Sequence, residues 1–164
     1  MTYTRPSRID NWLEQARIVA KMGTCLRRRY GAIIVKDNIL LSQGYCGAAR
    51  GLEDCLERGY CLREQLKIPS GERYELCRSV HAENNAIINA AIAGVSIIGA
   101  TLYLCGEESQ SRMLADAAPC SMCARAIINA RLEKVIAKVS KISNDNSGIR
   151  IYTLNDLKEI AESF

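Results

Sequence analysis

Near the start of the chain, apolar residues recur at helical spacing: Trp12, Leu13, Ala16, Val19 and Ala20 fall on one face between Asp10 and Lys21. This pattern predicts an amphipathic helix, with Asp10 placed to cap its first turn. The period then shortens. Ala32 to Val35 and Ile39 to Tyr45 are strand-like runs, and Lys36-Asp37-Asn38 between them supplies the turn of a hairpin. Ser79 is placed to cap a helix running to Ala93, whose Ala82, Ala86, Ile87, Ala90 and Ala93 form a stripe of small apolar side chains that Gly94 terminates. Thr101 to Cys105 reads as a buried strand, and Pro119 as a first-turn residue of a helix through about Ala130. Lys134 to Val139 and Ile149 to Tyr152 read as strands around Asn144-Asp145-Asn146-Ser147-Gly148, and Leu154 to Glu162 as a short helix. Alternating strands and helices predict an α/β fold, a three-layer α/β/α sandwich around one mixed sheet.

Gly47 to Cys77 follows neither period. The stretch is polar and cysteine-rich, with Pro69-Ser70-Gly71 breaking any regular element, so it is expected to be a long functional insertion that needs an anchor. At 164 residues and 48% hydrophobic content, the chain fits a single domain over 1–164, interrupted by that insertion at about 47–77. A formal charge of +4 is too weak to indicate nucleic acid and leaves small anionic ligands open. No signal-like opening or membrane-length apolar run is present, so a cytoplasmic protein with no membrane partner is expected. In a reducing compartment the eight cysteines favour metal ligation or free thiols over disulfides.

The chemistry concentrates at two places. His81, the only histidine, stands at a predicted helix start two residues before Glu83, and Pro119-Cys120-Ser121-Met122-Cys123 puts two thiols on one face of another helix start. Imidazole nitrogen and two thiolates suit zinc, and three protein ligands leave its fourth tetrahedral position open. Zinc lowers the pKa of bound water towards neutrality, and Glu83 is the candidate acid/base if it approaches the metal without ligating it. Positions i and i+2 of a regular helix point apart, so His81 must lie at the irregular first turn for both side chains to converge. Histidine-x-glutamate followed by proline-cysteine-x-x-cysteine is the pattern of zinc nucleobase deaminases. The alternatives are a structural zinc in a non-catalytic module, with Glu83 incidental, and an editing enzyme acting on a base flipped from tRNA; the modest charge and single Trp and Phe argue against a nucleic-acid track. Arg27, Arg28 and Arg29 form a basic run that suits either a substrate phosphate or a solvated surface. Cys105 and Trp12 read as core.

On these residues the chain resembles the deoxycytidylate (dCMP) deaminase family of the cytidine deaminase-like superfamily. Cys25 to Val35 is similar to the family's first strand and its approach, Cys77 to Ile88 to its zinc helix, and Pro119 to Ala130 to its second zinc motif. The resemblance implies a five-stranded mixed sheet, Zn²⁺ held by His81, Cys120 and Cys123, Glu83 as the catalytic residue, conversion of dCMP and water to dUMP and ammonia, and assembly into dimers or hexamers. It also implies substrate contacts near Cys46, Ala82 and Arg28, and a second, structural zinc at Cys25, Cys55, Cys61 and Cys77. Three features depart from the family. Gly44-Tyr45-Cys46-Gly47 has a thiol where the family's Asn meets the sugar, which leaves a nucleoside, free base or related amino-heterocycle as alternative substrates. Gly106 to Ala118 is longer than the family's link, and Val139 to Ile149 is too short for a crossover helix, so an antiparallel or irregular last strand is expected.

Overall fold

The first helix, α1 (Arg8–Ala20), starts earlier than its apolar stripe implies, because the Ser7 hydroxyl, not Asp10, caps it by accepting the Asp10 N–H at 3.0 Å. The computed structural model describes residues 4–140 and 148–163. Strands β1 (Arg28–Lys36) and β2 (Ile39–Tyr45) form the expected hairpin. Its turn residues Asp37 and Asn38 take φ of 50° and 61°, the left-handed conformation that short polar side chains tolerate.

Strand β5 (Thr101–Glu108) lies antiparallel to β1 on one side and parallel to β7 (Lys134–Lys138) on the other. Antiparallel to β7 runs β8 (Ile149–Tyr152), giving the order β2-β1-β5-β7-β8. The expected five-strand mixed path is therefore present and its last strand is antiparallel, within a sheet of six strands. A short β6 (Leu114–Ala115) pairs with β5 beyond the reach of β7, at Gly106 and Glu107, so part of the long 106–118 segment extends the sheet. Of the linking stretch Asn144-Asp145-Asn146-Ser147-Gly148, residues 144–147 lie outside the described residues.

Period-2 alternation sends the strand side chains to two cores. Ala32, Ile34, Leu102, Leu104 and Val135 face α4 (Ala82–Ile92), α5 (Ser121–Asn129) and α6 (Leu154–Glu162), meeting Ala86, Ala90, Ile127 and Leu157. Ile33, Val35, Tyr103, Cys105 and Ile136 face α1, meeting Leu13 and Ala16 with Trp12 and Val19 packed alongside. Helices on both faces make the three-layer sandwich, and Cys105 and Trp12 sit in the core as expected. No helix among the described residues is long and apolar enough to cross a membrane.

Several boundaries differ from the periodicity reading. Ser79 does not cap α4: it belongs to β4 (Ser79–Val80), which pairs with β3 (Gly47–Ala48), and His81 occupies the N-cap. Ala93 is exposed beyond the last turn, where Gly94 at φ 68° stops the helix. Pro119 precedes α5 altogether, because Cys120 is its N-cap. The insertion is ordered by short elements, α2 (Cys55–Arg58), α3 (Leu62–Gln65) and a 3₁₀ turn at Tyr74–Leu76. Both ends of α2 are closed locally: Asp54 and Glu57 form a capping box, and Gly59 ends the helix at φ 71°.

Helix α4 lies unusually close to β2. A Cβ on Gly44 would run into the backbone of Ala82 and Ala86, so the glycine and the alanine stripe together fix the depth of the helix. Gly44→Ala forces this contact apart. Overpacking of this kind costs about 1–3 kcal/mol or more, and we expect at least that loss by denaturant unfolding, whereas Gly51→Ala, in open space, tests only the strain of its positive φ.

Candidate active site

His81 and Cys120 are the N-cap residues of α4 and α5, and both have extended backbones, with ψ of 154° and 169°. The geometric demand made by the His-x-Glu spacing is therefore met: His81 stands outside the regular helix and Glu83 inside it. His81 Nδ1 lies 3.5 Å from Cys120 Sγ and 3.4 Å from Cys123 Sγ. Zinc bonds of ordinary length at the tetrahedral angle would set nitrogen and sulfur about 3.6 Å apart. Among the described residues, only these three bring candidate ligand atoms together, all within 4.8 Å of one another. Two soft sulfurs and an imidazole nitrogen at that separation fit a zinc ion.

Glu83 is 4% exposed and lies beside the cluster without belonging to it. Burial raises its carboxyl above the usual range, partly opposed by the charge of His81. The donors share protons among themselves. Burial alone would lower the His81 imidazole, but hydrogen bonding with Cys120 and Cys77 and the charge of Glu83 push it up to about 10. Cys120 falls to about 4, chiefly through its hydrogen bond from Cys123, with burial opposing and His81 assisting. Cys123 is driven upward by that same bond and by burial. The start of α5 adds backbone help, since a Cys123 backbone hydrogen bond also favours the Cys120 thiolate. A metal entering this site displaces protons from His81 and Cys123, so its affinity weakens as pH falls.

A cavity of about 130 Å³ opens onto His81, Glu83 and Cys120 where β1 begins and α4 and α5 start. Arg28, Cys46 and Ala82 all line it, as the sequence suggested. Arg28 is already engaged, its Nε donating to Glu108 Oε1 at 2.8 Å in an exposed ion pair. Cys46 Sγ accepts the Tyr30 N–H at 3.2 Å and lies 3.7 Å from the Arg28 carbonyl. Burial pushes its thiol up to about 12, so it stays protonated and serves the backbone of β1.

The four cysteines that the resemblance assigned to a second zinc, Cys25, Cys55, Cys61 and Cys77, border one cavity of about 280 Å³, and burial and the charges of the other three raise the Cys55 thiol, although their sulfurs do not close to the spacing of the His81 cluster. Their α2 and α3 segments are held instead by the Asp54–Glu57 capping box and by Arg63, so the insertion has anchors other than metal. Cys77 instead acts on His81, whose interaction lowers the Cys77 thiol against the opposing effect of burial. Two residues of the insertion reach the site that the sequence did not single out: Arg63 and Tyr74 both line the cavity, the Tyr74 ring perpendicular to that of His81. Nothing in the spacing marks them, because the insertion has no period from which to place a side chain.

The model of the cytidine and deoxycytidylate deaminase zinc-binding region matches residues 6–139. The deoxycytidylate deaminase of Mycobacterium phage D29 is 30% identical over 138 residues, covering 81% of this chain and 95% of that protein. The deoxycytidylate deaminase of Schizosaccharomyces pombe is 31% identical over 136 residues, covering 83% of this chain but only 38% of its own length. The chain thus spans about two fifths of that yeast protein and of its Saccharomyces cerevisiae counterpart, of which 41% is covered. In fold, the apo dCMP deaminase of cyanophage S-TIM5 superposes with a TM-score of 0.61 at 22% identity, over 96% of this chain and 95% of that one.

Replacing a ligand separates the metal site from the other thiols. We expect Cys123→Ala to weaken zinc binding by more than the roughly 10–100-fold cost of an outer-shell change, while Cys105→Ala keeps full zinc content; chelator competition and metal analysis check both.

Proposed function

The chain belongs to the cytidine and deoxycytidylate deaminase family, and from that premise we propose that it hydrolytically deaminates a cytosine-type nucleotide, dCMP to dUMP with release of ammonia. The observation that carries this reading is the convergence of His81 Nδ1 with Cys120 Sγ and Cys123 Sγ beside the buried Glu83. The family match over residues 6–139 supports treating 1–164 as one zinc-dependent deaminase domain.

Zinc held by His81, Cys120 and Cys123 would act as a Lewis acid that brings the pKa of water towards neutrality. Glu83 does the proton work. Its carboxylate takes one proton from the attacking water and passes it to the ring nitrogen, then takes the second from the hydroxyl now on the ring carbon and passes it to the amine, which leaves as ammonia while the carbonyl forms. Burial suits it to this cycle, because a carboxyl raised above its usual range both accepts and returns protons more readily near neutral pH. Ala82, fully buried at the first position of α4, forms the cavity floor beside it. Arg28 stands at the mouth and can exchange Glu108 for a substrate phosphate, since an exposed ion pair is weak. A reducing, cytoplasmic setting belongs to the same reading, because Cys120 and Cys123 ligate metal only as thiolates. Self-association belongs to it too; Ile88 and Ile92 give α4 an exposed apolar face that a second copy would cover.

Cys46 favours a second reading, in which the substrate is a different nucleoside, a free base or a related amino-heterocycle. Its sulfur is committed to the Tyr30 N–H and the Arg28 carbonyl and lacks an amide's paired donor and acceptor.

Ammonia release from the zinc-loaded protein with dCMP, CMP, dCTP, deoxycytidine and cytosine decides between them. Turnover of dCMP ahead of the others supports the first reading. Rejection of dCMP with turnover of another compound supports the second, and inactivity across the panel contradicts both. In Glu83→Gln we expect kcat to drop by roughly 10²–10⁴-fold with zinc content unchanged.

A further inference from the structure

The 47–77 insertion joins the catalytic cavity through one contact chain, from Arg63 to Tyr74 to His81. The Tyr74 ring stands perpendicular to the His81 imidazole, interplanar angle 90°, with centroids 4.9 Å apart. Edge-to-face packing at this distance is an attractive, orientation-dependent contact, and it restricts rotation of the imidazole about its side-chain axis. Across the Tyr74 ring lies the Arg63 guanidinium, its Cζ 4.6 Å from the ring centroid.

Arg63 is only 6% exposed, and no carboxylate pairs with it among the described residues. A buried cation needs specific partners. One NH₂ group donates to the Pro69 carbonyl at 2.9 Å and the Glu72 carbonyl at 2.6 Å, on either side of the Pro69-Ser70-Gly71 break. Its buried Nε has no oxygen partner, and the aromatic face of Tyr74 is what lies beneath the guanidinium. The chain enters Tyr74 through Arg73 at φ 49°, a left-handed turn that aims Tyr74 back at the cavity. Arg63 thus fixes the loop and the ring with the same group.

We propose that Tyr74 is a positioning residue acting through the metal ligand His81, that Arg63 holds Tyr74 in place, and that the insertion is thereby a working part of the metal site. The proposal rests on the reading of His81 as a zinc ligand. Outer-shell groups that orient a ligating histidine change metal affinity by roughly 10–100-fold, and the contact chain here is an outer shell made of a ring and a cation in place of a carboxylate.

The test uses the full chain with zinc alone, measured by chelator competition, and the visible absorption of the cobalt-substituted protein as a report on ligand geometry. Tyr74→Leu removes the aromatic ring, Tyr74→Phe keeps it, and Arg63→Gln removes the charge above it. We expect Tyr74→Leu and Arg63→Gln to lose roughly 10–100-fold in zinc affinity and to shift the cobalt bands, with Tyr74→Phe retaining wild-type affinity and spectrum. Wild-type affinity and spectrum in Tyr74→Leu would overturn the proposal, and so would an equal loss in Tyr74→Phe, which would assign the effect to the hydroxyl. Should Tyr74→Leu fail to fold, a folded Arg63→Gln with unchanged zinc affinity overturns it instead. Failure of the unaltered chain to bind zinc would fell the metal-site reading itself, an outcome distinct from wild-type behaviour in the variants.

Discussion

The starts of α4 and α5 are held side by side over one core, and the spacing of His81 Nδ1 from Cys120 and Cys123, 3.5 and 3.4 Å, follows from how deeply those helices seat on the sheet. Small side chains set that depth. Ala82, Ala86 and Ala90 allow α4 to approach β2 until its backbone meets Gly44, and Ser42 Oγ donates to the Ala86 carbonyl at 2.7 Å. Asn85 and Asn89 fix the same helix lengthwise, donating to the Tyr45 and Gln43 carbonyls at 2.7 and 2.8 Å. These are contacts to backbone, which does not change rotamer. A metal site that depends on sub-ångström spacing is thus built on the least adjustable surface of the fold.

Electrostatics then separate the roles of neighbouring groups. Cys120 sits where backbone and side-chain donors favour its thiolate, and, against the effect of burial, hydrogen bonding with Cys120 and Cys77 and the charge of Glu83 raise the His81 imidazole. Both are dispositions that a cation can replace. Glu83, in the first turn of α4, is buried and lines the same cavity but lies outside the donor cluster. The different placement of His81, in the donor cluster, and Glu83, outside it, therefore comes from a change of backbone conformation between residues 81 and 83, from extended N-cap to helix.

Much of this was legible in the sequence where a short-range rule applied. Strand alternation located the sheet, and the two half-motifs located the residues that gather as a candidate metal site, because the chemistry of zinc restricts residue types severely. The short 139–149 link left an antiparallel or an irregular last strand open, and the antiparallel one is present. Helix starts were placed less well: Ser79 and Pro119 carry strong local preferences, but the pairing of β4 with β3 claims Ser79 and the N-cap at Cys120 leaves Pro119 outside. The insertion was the least legible. Its three cysteines and Cys25 gather around one cavity, as a shared role requires, while Cys77 also interacts with His81, which no spacing indicated. Arg63 and Tyr74 acquire their importance only from the tertiary contact between them, which no spacing in the chain encodes.

The central claim is that one zinc is held by one nitrogen and two sulfurs, with its fourth position open to the cavity. Zinc K-edge X-ray absorption on protein carrying one metal per chain measures this directly. The account expects two sulfurs at about 2.3 Å and two light atoms at about 2.0–2.1 Å, one of them from imidazole. A shell of four sulfurs would contradict it, placing the metal among the cysteines of the insertion and leaving Glu83 without a reaction to serve.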